Sequence, residues 1–326
     1  MFELIKNLTD KFGVSGNEEE IREFIKGEIK SKVDSIEVDA LGNLIATKKG
    51  NGKKIMVAAH MDEIGVMATH IDEKGFIRFS NIGWVSQNYS LGQRVRFKNG
   101  TIGTVFFEEK LDDLKSLKLS NLYIDIGAKN SEEAQKKVNI GDTAAFCGPA
   151  ELAGDMIISK ALDDRSGCAV LIETIKNLPK TDNEIYFVFT VQEELGLRGA
   201  KTAAFRILPD FAIAVDVTLT GDTPDCKTME VKCGMGPAIK IKDGSVVCHN
   251  DVRKLLTETA KKLNLPIQYE ILERGGSDPG AIHLTAGGIP SGAISIPCRY
   301  THSPSEMASI SDIDNAVKLL KESLIG

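Results

Sequence analysis

Two hydrophobic periods alternate along this chain, and the places where one gives way to the other divide it. Phe2, Ile5, Leu8 and Phe12 fall on one helical face, and Ile21, Phe24, Ile25 and Ile29 do so again after the break Gly13-Val14-Ser15-Gly16-Asn17, so two surface helices open the chain. Short strands are predicted at 35–38 and 43–46, joined through Gly42. Lys54-Ile55-Met56-Val57-Ala58-Ala59 is then apolar without alternation, which is the pattern of a strand covered on both faces of a parallel sheet. Ile185-Tyr186-Phe187-Val188-Phe189-Thr190 and Phe211-Ala212-Ile213-Ala214-Val215 repeat it. Further strands are expected at 156–159, 267–271 and 292–296, and helices from Ser166-Gly167, after Ala200, at 250–263, through His283 and from Ile313 to Leu324. The stretch from Thr218 to about Asp243 carries Gly and Pro and no clear pattern.

From about Thr69 to Asp155 the helical patterns thin out and short alternating runs take over. Arg94-Val95-Arg96-Phe97-Lys98 and Thr101-Ile102-Gly103-Thr104-Val105 flank Asn99-Gly100, a strong hairpin signal. Strands at 75–79 and 122–126 and a helical stretch at 131–138 complete a small barrel-like unit. Because the α/β pattern resumes directly afterwards, the unit reads as an insertion. The predicted organisation is an α/β domain with a mixed sheet in three layers, made of residues 1–67 and 159–326, interrupted by a β-rich unit at 68–158.

The strand ends are where chemistry is expected, since open α/β sheets bind ligands beyond the carboxyl ends of their strands. His60 and Asp62 follow one strand, Glu193 and Glu194 another, Asp216 a third and His302 a fourth, while Asp163 and Asp164 occupy a strand-to-helix turn. Any one of these could be a cap or a solvated loop residue. Drawn together they are hard to hold without a cation: carboxylates about 4 Å apart repel by roughly 4 kcal/mol per pair at an effective dielectric near 20. Two divalent ions would remove that repulsion, and imidazole with carboxylate suits zinc, with cobalt or manganese as substitutes. His60 and Asp62, two apart on extended chain, project on the same side, so Asp62 can accept from the far nitrogen of His60 and fix its tautomer. Glu193 and Glu194 must point differently, which leaves one to bind metal and the other to move protons.

Composition narrows the alternatives. Of 326 residues 42% are hydrophobic and 26% charged, the net charge is −6, and no basic run interleaved with aromatics occurs, so nucleic acid is not expected as a partner. No apolar stretch is long enough to span a membrane, and the N-terminus lacks the pattern of a secretion signal. The six cysteines are dispersed without a C-x-x-C, as expected of reduced thiols in a cytoplasmic protein. His70, His249 and His283 lie away from the strand ends, Ser166 reads as a helix cap, and Gly275-Gly276-Ser277-Asp278 reads as a loop beside the cleft rather than a phosphate loop. No G-x-S-x-G elbow is present, so no covalent nucleophile is expected. A glycoside hydrolase acting on β-glucans would use Glu193 with Glu194 or Asp62 as its acid and base, but that reading leaves both histidines unused.

Ala59-His60-Met61-Asp62-Glu63-Ile64-Gly65, Lys160-Ala161-Leu162-Asp163-Asp164-Arg165, Gln192-Glu193-Glu194-Leu195-Gly196-Leu197-Arg198-Gly199-Ala200 and Arg299-Tyr300-Thr301-His302-Ser303-Pro304-Ser305-Glu306 together resemble the signatures of the tetrahedral (TET) metallo-aminopeptidases, a family that includes proteins labelled endoglucanase M. The resemblance implies two divalent metal ions per subunit, one held by His60, Asp163 and Asp216 and the other by Asp163, Glu194 and His302. It makes Glu193 the general base that activates a metal-bridging water, and Asp62 the orienting carboxylate. Asp163 is preferred to Asp164 because related two-metal aminopeptidases use an Asp four residues before the helix-opening glycine, here Gly167. The resemblance further implies short peptides as substrates, a β-barrel that serves dimerisation, and dimers that build a hollow tetrahedral dodecamer.

Overall fold

The computed structural model describes residues 1–109, 114–226 and 229–325. Its centre is a set of parallel strands whose side chains are buried almost end to end: Glu184–Thr190, Lys54–His60, Phe211–Thr218 and Ser291–Arg299, hydrogen-bonded in that order. Leu44–Lys48 and Ser35–Val38 extend one side antiparallel. On the other side Glu306–Ser309, Met156–Ser159 and Glu151–Ala153 continue the sheet, and Ala238–Lys242 with Gln268–Ile271 branches from Ser291–Arg299, giving eleven strands among the described residues.

Both sheet faces are covered, which is why the central strands need no polar alternation. One face packs Ile213, Val215, Ile294 and Ile296 against the helices Phe2–Asp10, Glu19–Ile29, Leu162–Asn177, Asn250–Lys262 and Ile310–Ser323. The other packs Met56, Ala58, Ala214 and Ala293 against Arg198–Ile207 and Pro279–Ile282. This second helical layer is short. Beyond it, at the carboxyl ends of the strands, the sheet surface opens into a cavity of about 1000 Å³.

The inserted unit is a closed antiparallel barrel of six strands running from Gly65 to Phe146, filled by Val66, Ile77, Val95, Phe97, Val105 and Ile124. Its Asn99-Gly100 hairpin forms as the alternation predicts, with Gly100 at φ +90° donating its N–H to the Phe97 carbonyl. Glu151–Ala153 and Met156–Ser159 lie outside the barrel and pair into the main sheet.

Two local readings change. The patternless stretch before Asp243 contains the strand Ala238–Lys242, which buries Ile239 in the core and sets Lys240 on the cavity lining. The helix after Asp164 is capped by that aspartate and not by Ser166: Asp164 Oδ1 accepts the Gly167 N–H at 2.9 Å, and the Ser166 hydroxyl donates to the Leu162 carbonyl.

Candidate metal centre

His60 ends its strand with Nε2 2.9 Å from Asp163 Oδ1 and 3.8 Å from Asp216 Oδ1. Its Nδ1 faces Asp62, 3.2 Å from the backbone oxygen and 3.5 Å from Oδ1. Asp62 is fully buried and well supplied with donors: the Ser15 hydroxyl at 2.6 Å and the backbone N–H groups of Glu193 at 3.0 Å and Glu194 at 3.3 Å. Burial works against its charge, but His60, Ser15 and the Glu193 amide outweigh it and hold the carboxyl below its usual range. Asp62 thus sets its backbone oxygen and its carboxylate against the imidazole and accepts from the backbone that carries both glutamates.

Asp163 stands between the two histidines. Its Oδ1 meets His60 and its Oδ2 lies 3.1 Å from His302 Nε2, which is also 3.3 Å from Glu194 Oε1. Asp163 and Asp164 leave helical backbone angles, and their side chains take different partners. Asp164 turns to the interior, where Oδ2 accepts the His60 N–H at 3.3 Å and Oδ1 that of Gly167. A Cβ on residue 167 would stand 2.4 Å from that carboxylate, so glycine is required there.

Candidate ligand atoms of His60, Asp163 and Glu194 lie within 4.8 Å of one another, as do those of His60, Asp164 and Asp216. Both Asp164 oxygens already serve amides, whereas Asp163 offers its oxygens to imidazoles. The Glu193 carboxylate lines the cavity and makes no hydrogen bond among the described residues. Burial, then the neighbouring Asp216 and Glu194, hold it well above the ordinary carboxylate range against the pull of His60. Burial and Asp163 raise Asp216 in the same way. His302 is pushed up to about 12: burial opposes this, and Glu194 and Asp163 outweigh it. With no other cation such a cluster keeps protons to limit repulsion, and these are the protons that divalent ions would displace. Oxygen and imidazole donors at this density fit divalent metal ions.

Supporting residues emerge that the strand-end pattern did not single out. The buried Glu306 carboxylate accepts the Asp163 N–H at 2.9 Å and the His302 N–H at 2.7 Å, so it sets two of the candidate ligands at once. His302 sits at φ +62°, a backbone state that this amide bond holds in place. Glu63 takes Lys160 Nζ at 2.6 Å, Arg165 Nη2 at 3.4 Å and the Gly13 N–H at 3.1 Å, all buried. Removing it strands buried cations, so Glu63→Ala should cost about 3–5 kcal/mol in urea denaturation, and a loss below about 1 kcal/mol would contradict that account.

Gly83, from a barrel loop, approaches Glu194 so closely that a Cβ would lie 3.1 Å from Oε2. Next to it Trp84 is 67% exposed with its ring 5.8 Å from that of His302. The Gly275–Ser277 loop walls the same cavity. His249 accepts the Asp251 N–H at its helix start, and His283 Nδ1 lies 2.8 Å from the Pro279 carbonyl, both apart from the centre.

A profile described as M42 glutamyl aminopeptidase matches residues 42–319. A putative aminopeptidase of Acetivibrio thermocellus is 71% identical over 324 residues, covering 99% of this chain and 98% of the relative. An aminopeptidase from the archaeon Desulfurococcus kamchatkensis superposes with a TM-score of 0.96 at 39% identity, covering 99% and 94% of the two chains. The TET1 peptidase of Pyrococcus horikoshii, described as assembling into a tetrahedron or a large octahedral shell, gives 0.90 at 35% identity over 99% and 98%.

Proposed function

We propose a reaction and a site for this chain, which belongs to the M42 glutamyl aminopeptidase family and is a peptide hydrolase. It removes the first residue from short peptides with a free N-terminus. His60, Asp163 and Asp216 would hold one divalent ion, and Asp163, Glu194 and His302 the other. When bound, such ions polarise a carbonyl and lower the pKa of water. The observation that carries this reading is the division between the adjacent glutamates: Glu194 contacts His302, while Glu193 faces the cavity without a hydrogen-bond partner among the described residues.

Glu193 takes the proton of the attacking water and returns it to the leaving amine, a role that its raised pKa suits. Asp62 keeps His60 oriented and fixes the backbone beneath both glutamates. Glu306 holds Asp163 and His302 at their spacing. A β-glucan hydrolase would leave both histidines and this scaffold without a task.

The test is a panel of aminoacyl-nitroanilides assayed after metal stripping and after re-addition of Zn²⁺, Co²⁺ or Mn²⁺. Hydrolysis should vanish and return; cellulose hydrolysis that survives stripping, without peptidase activity, would instead favour the glycosidase. A second readout needs no turnover. Trp84 is the only tryptophan and lies against His302, so Co²⁺ should quench its emission. Because His302 must lose a proton held up to about 12, apparent Co²⁺ affinity should rise about tenfold per pH unit for that proton between pH 6 and 8. An affinity flat across that range would remove His302 from the ligand set.

The barrel leaves Ile102 and Phe106 exposed, which supports its use in dimerisation, and the TET1 relative supports assembly of dimers into a tetrahedral dodecamer. Sedimentation of the metal-loaded protein tests this, and a monomer would refute it. The free cysteines suit the reducing cytoplasm, and no described helix is long and apolar enough to cross a membrane.

A further inference from the structure

Beneath the floor of the cavity, across the strand Ser291–Arg299 from Asp216, lies a buried charge cluster that the mechanism above does not use, with Lys240 as its member on the cavity lining. The strand Ser291–Arg299 pairs Ser295 with Asp216 on one side and with Ala238 on the other, so Asp216, Ser295, Ala238 and, two residues on, Lys240 share the sheet face that opens to the cavity. Lys240 lines the cavity together with His60, Glu193 and Asp216, yet its side chain is only 3% exposed. Its ammonium is bound to Glu270 and lies 3.3 Å from Asp243 Oδ2, and those carboxylates are 0% and 1% exposed. Asp243 also accepts the hydroxyl of Ser277, at 2.8 Å, from the loop that walls the cavity.

The charges of this cluster do not balance. Two carboxylates meet one ammonium, a formal excess of one negative charge behind the floor, and Glu270 Oε2 is buried with no hydrogen-bond partner among the described residues. Stability alone is a poor reason for such a group, because a buried ion pair is commonly no better than apolar residues of similar volume. At the rim Glu273 and Arg274 are exposed and cancel, and the remaining walls include Leu197, Leu219 and Leu272.

We propose that the Lys240–Glu270–Asp243 cluster sets the charge of the substrate's first side chain, admitting neutral and basic residues and rejecting acidic ones. The inference rests on the aminopeptidase reading. An acidic side chain entering this cavity loses water and meets a cation already shared by two carboxylates, within a field of its own sign. An apolar side chain meets three leucines. A basic one meets the field of the surplus carboxylate.

The experiment compares kcat/KM for glutamyl-, leucyl- and lysyl-nitroanilide with the metal-loaded protein, then repeats it with Glu270→Gln and, as a second variant, Asp243→Asn, each checked for folding by thermal melt. Leucyl and lysyl substrates should exceed the glutamyl one at least tenfold. Each variant brings the cluster to neutrality, and the glutamyl-to-leucyl ratio should rise at least tenfold, chiefly through a lower KM for the glutamyl substrate, with the lysyl substrate moving the other way. Glutamyl turnover equal to or above leucyl turnover in the unmodified protein overturns the proposal and leaves the aminopeptidase reading standing. The same holds for an unchanged ratio in a folded variant. Hydrolysis of none of the three after metal restoration overturns both.

Discussion

Replacing Glu193 by Gln should leave the metal content and the melting temperature near those of the parent while lowering turnover by about 10²–10⁴, the range in which positioned proton transfer contributes. The expectation follows from what Glu193 touches. Its carboxylate has no hydrogen bond among the described residues to lose, so the isosteric amide disturbs no packing. Its backbone amide, held by Asp62, is unchanged by the substitution. What disappears is the group that can accept and return a proton. The raised pKa, caused first by burial and then by Asp216 and Glu194, also predicts where the acid limb of the pH profile lies. In the proposed mechanism deprotonated Glu193 is the active form, so activity should rise with pH through a value above the ordinary carboxylate range, and added metal charge should move that limb to lower pH. Glu194→Gln is the contrast, since it should lose metal as well as rate. Near-normal peptide cleavage by the Glu193 variant would take that residue out of the mechanism.

Much of this arrangement could be read without coordinates, and the part that could not has a common cause. The buried parallel strands announce themselves because an apolar run without alternation must be covered on both faces, and polar residues at the strand ends then fall together by topology: Thr190 pairs with His60, and Val57 and Ala58 with Ile213 and Ala214. The barrel was legible for the complementary reason, since strands covered on one side alternate. Glu306 and Glu63 were harder to see because their work is done through backbone amides and buried cations that are remote in sequence: 143 residues separate Glu306 from Asp163, and 97 separate Glu63 from Lys160. No local period marks such a residue. The strand Ala238–Lys242 was missed although Ile239-Lys240-Ile241-Lys242 alternates, because a five-residue run inside a Gly- and Pro-containing stretch is too short to stand out. Ser166 looked like a cap because serine often is one; the irregular backbone at Asp163 and Asp164 gives that task to Asp164 instead.

The second large effect concerns the adjacent aspartates Asp163 and Asp164, whose side chains take different partners and should fail in different ways. Asp163→Asn should weaken metal retention by more than the about 10–100-fold typical of losing an outer partner, since one carboxylate lies between His60 and His302 and would serve both ions. Activity should fall with occupancy, and excess Co²⁺ should recover Trp84 quenching only in part. Asp164→Asn should retain metal far better but lose stability by about 1–3 kcal/mol, the cost of a buried amide left without its acceptor. An asparagine offers one acceptor oxygen where Asp164 uses two, for the His60 and Gly167 amides. The two variants are isosteric and one residue apart, so metal content by elemental analysis set against urea denaturation separates the roles. Loss of both ions from Asp164→Asn with little change in Asp163→Asn would transfer the bridging assignment to Asp164, and with it the ligand geometry proposed for the centre.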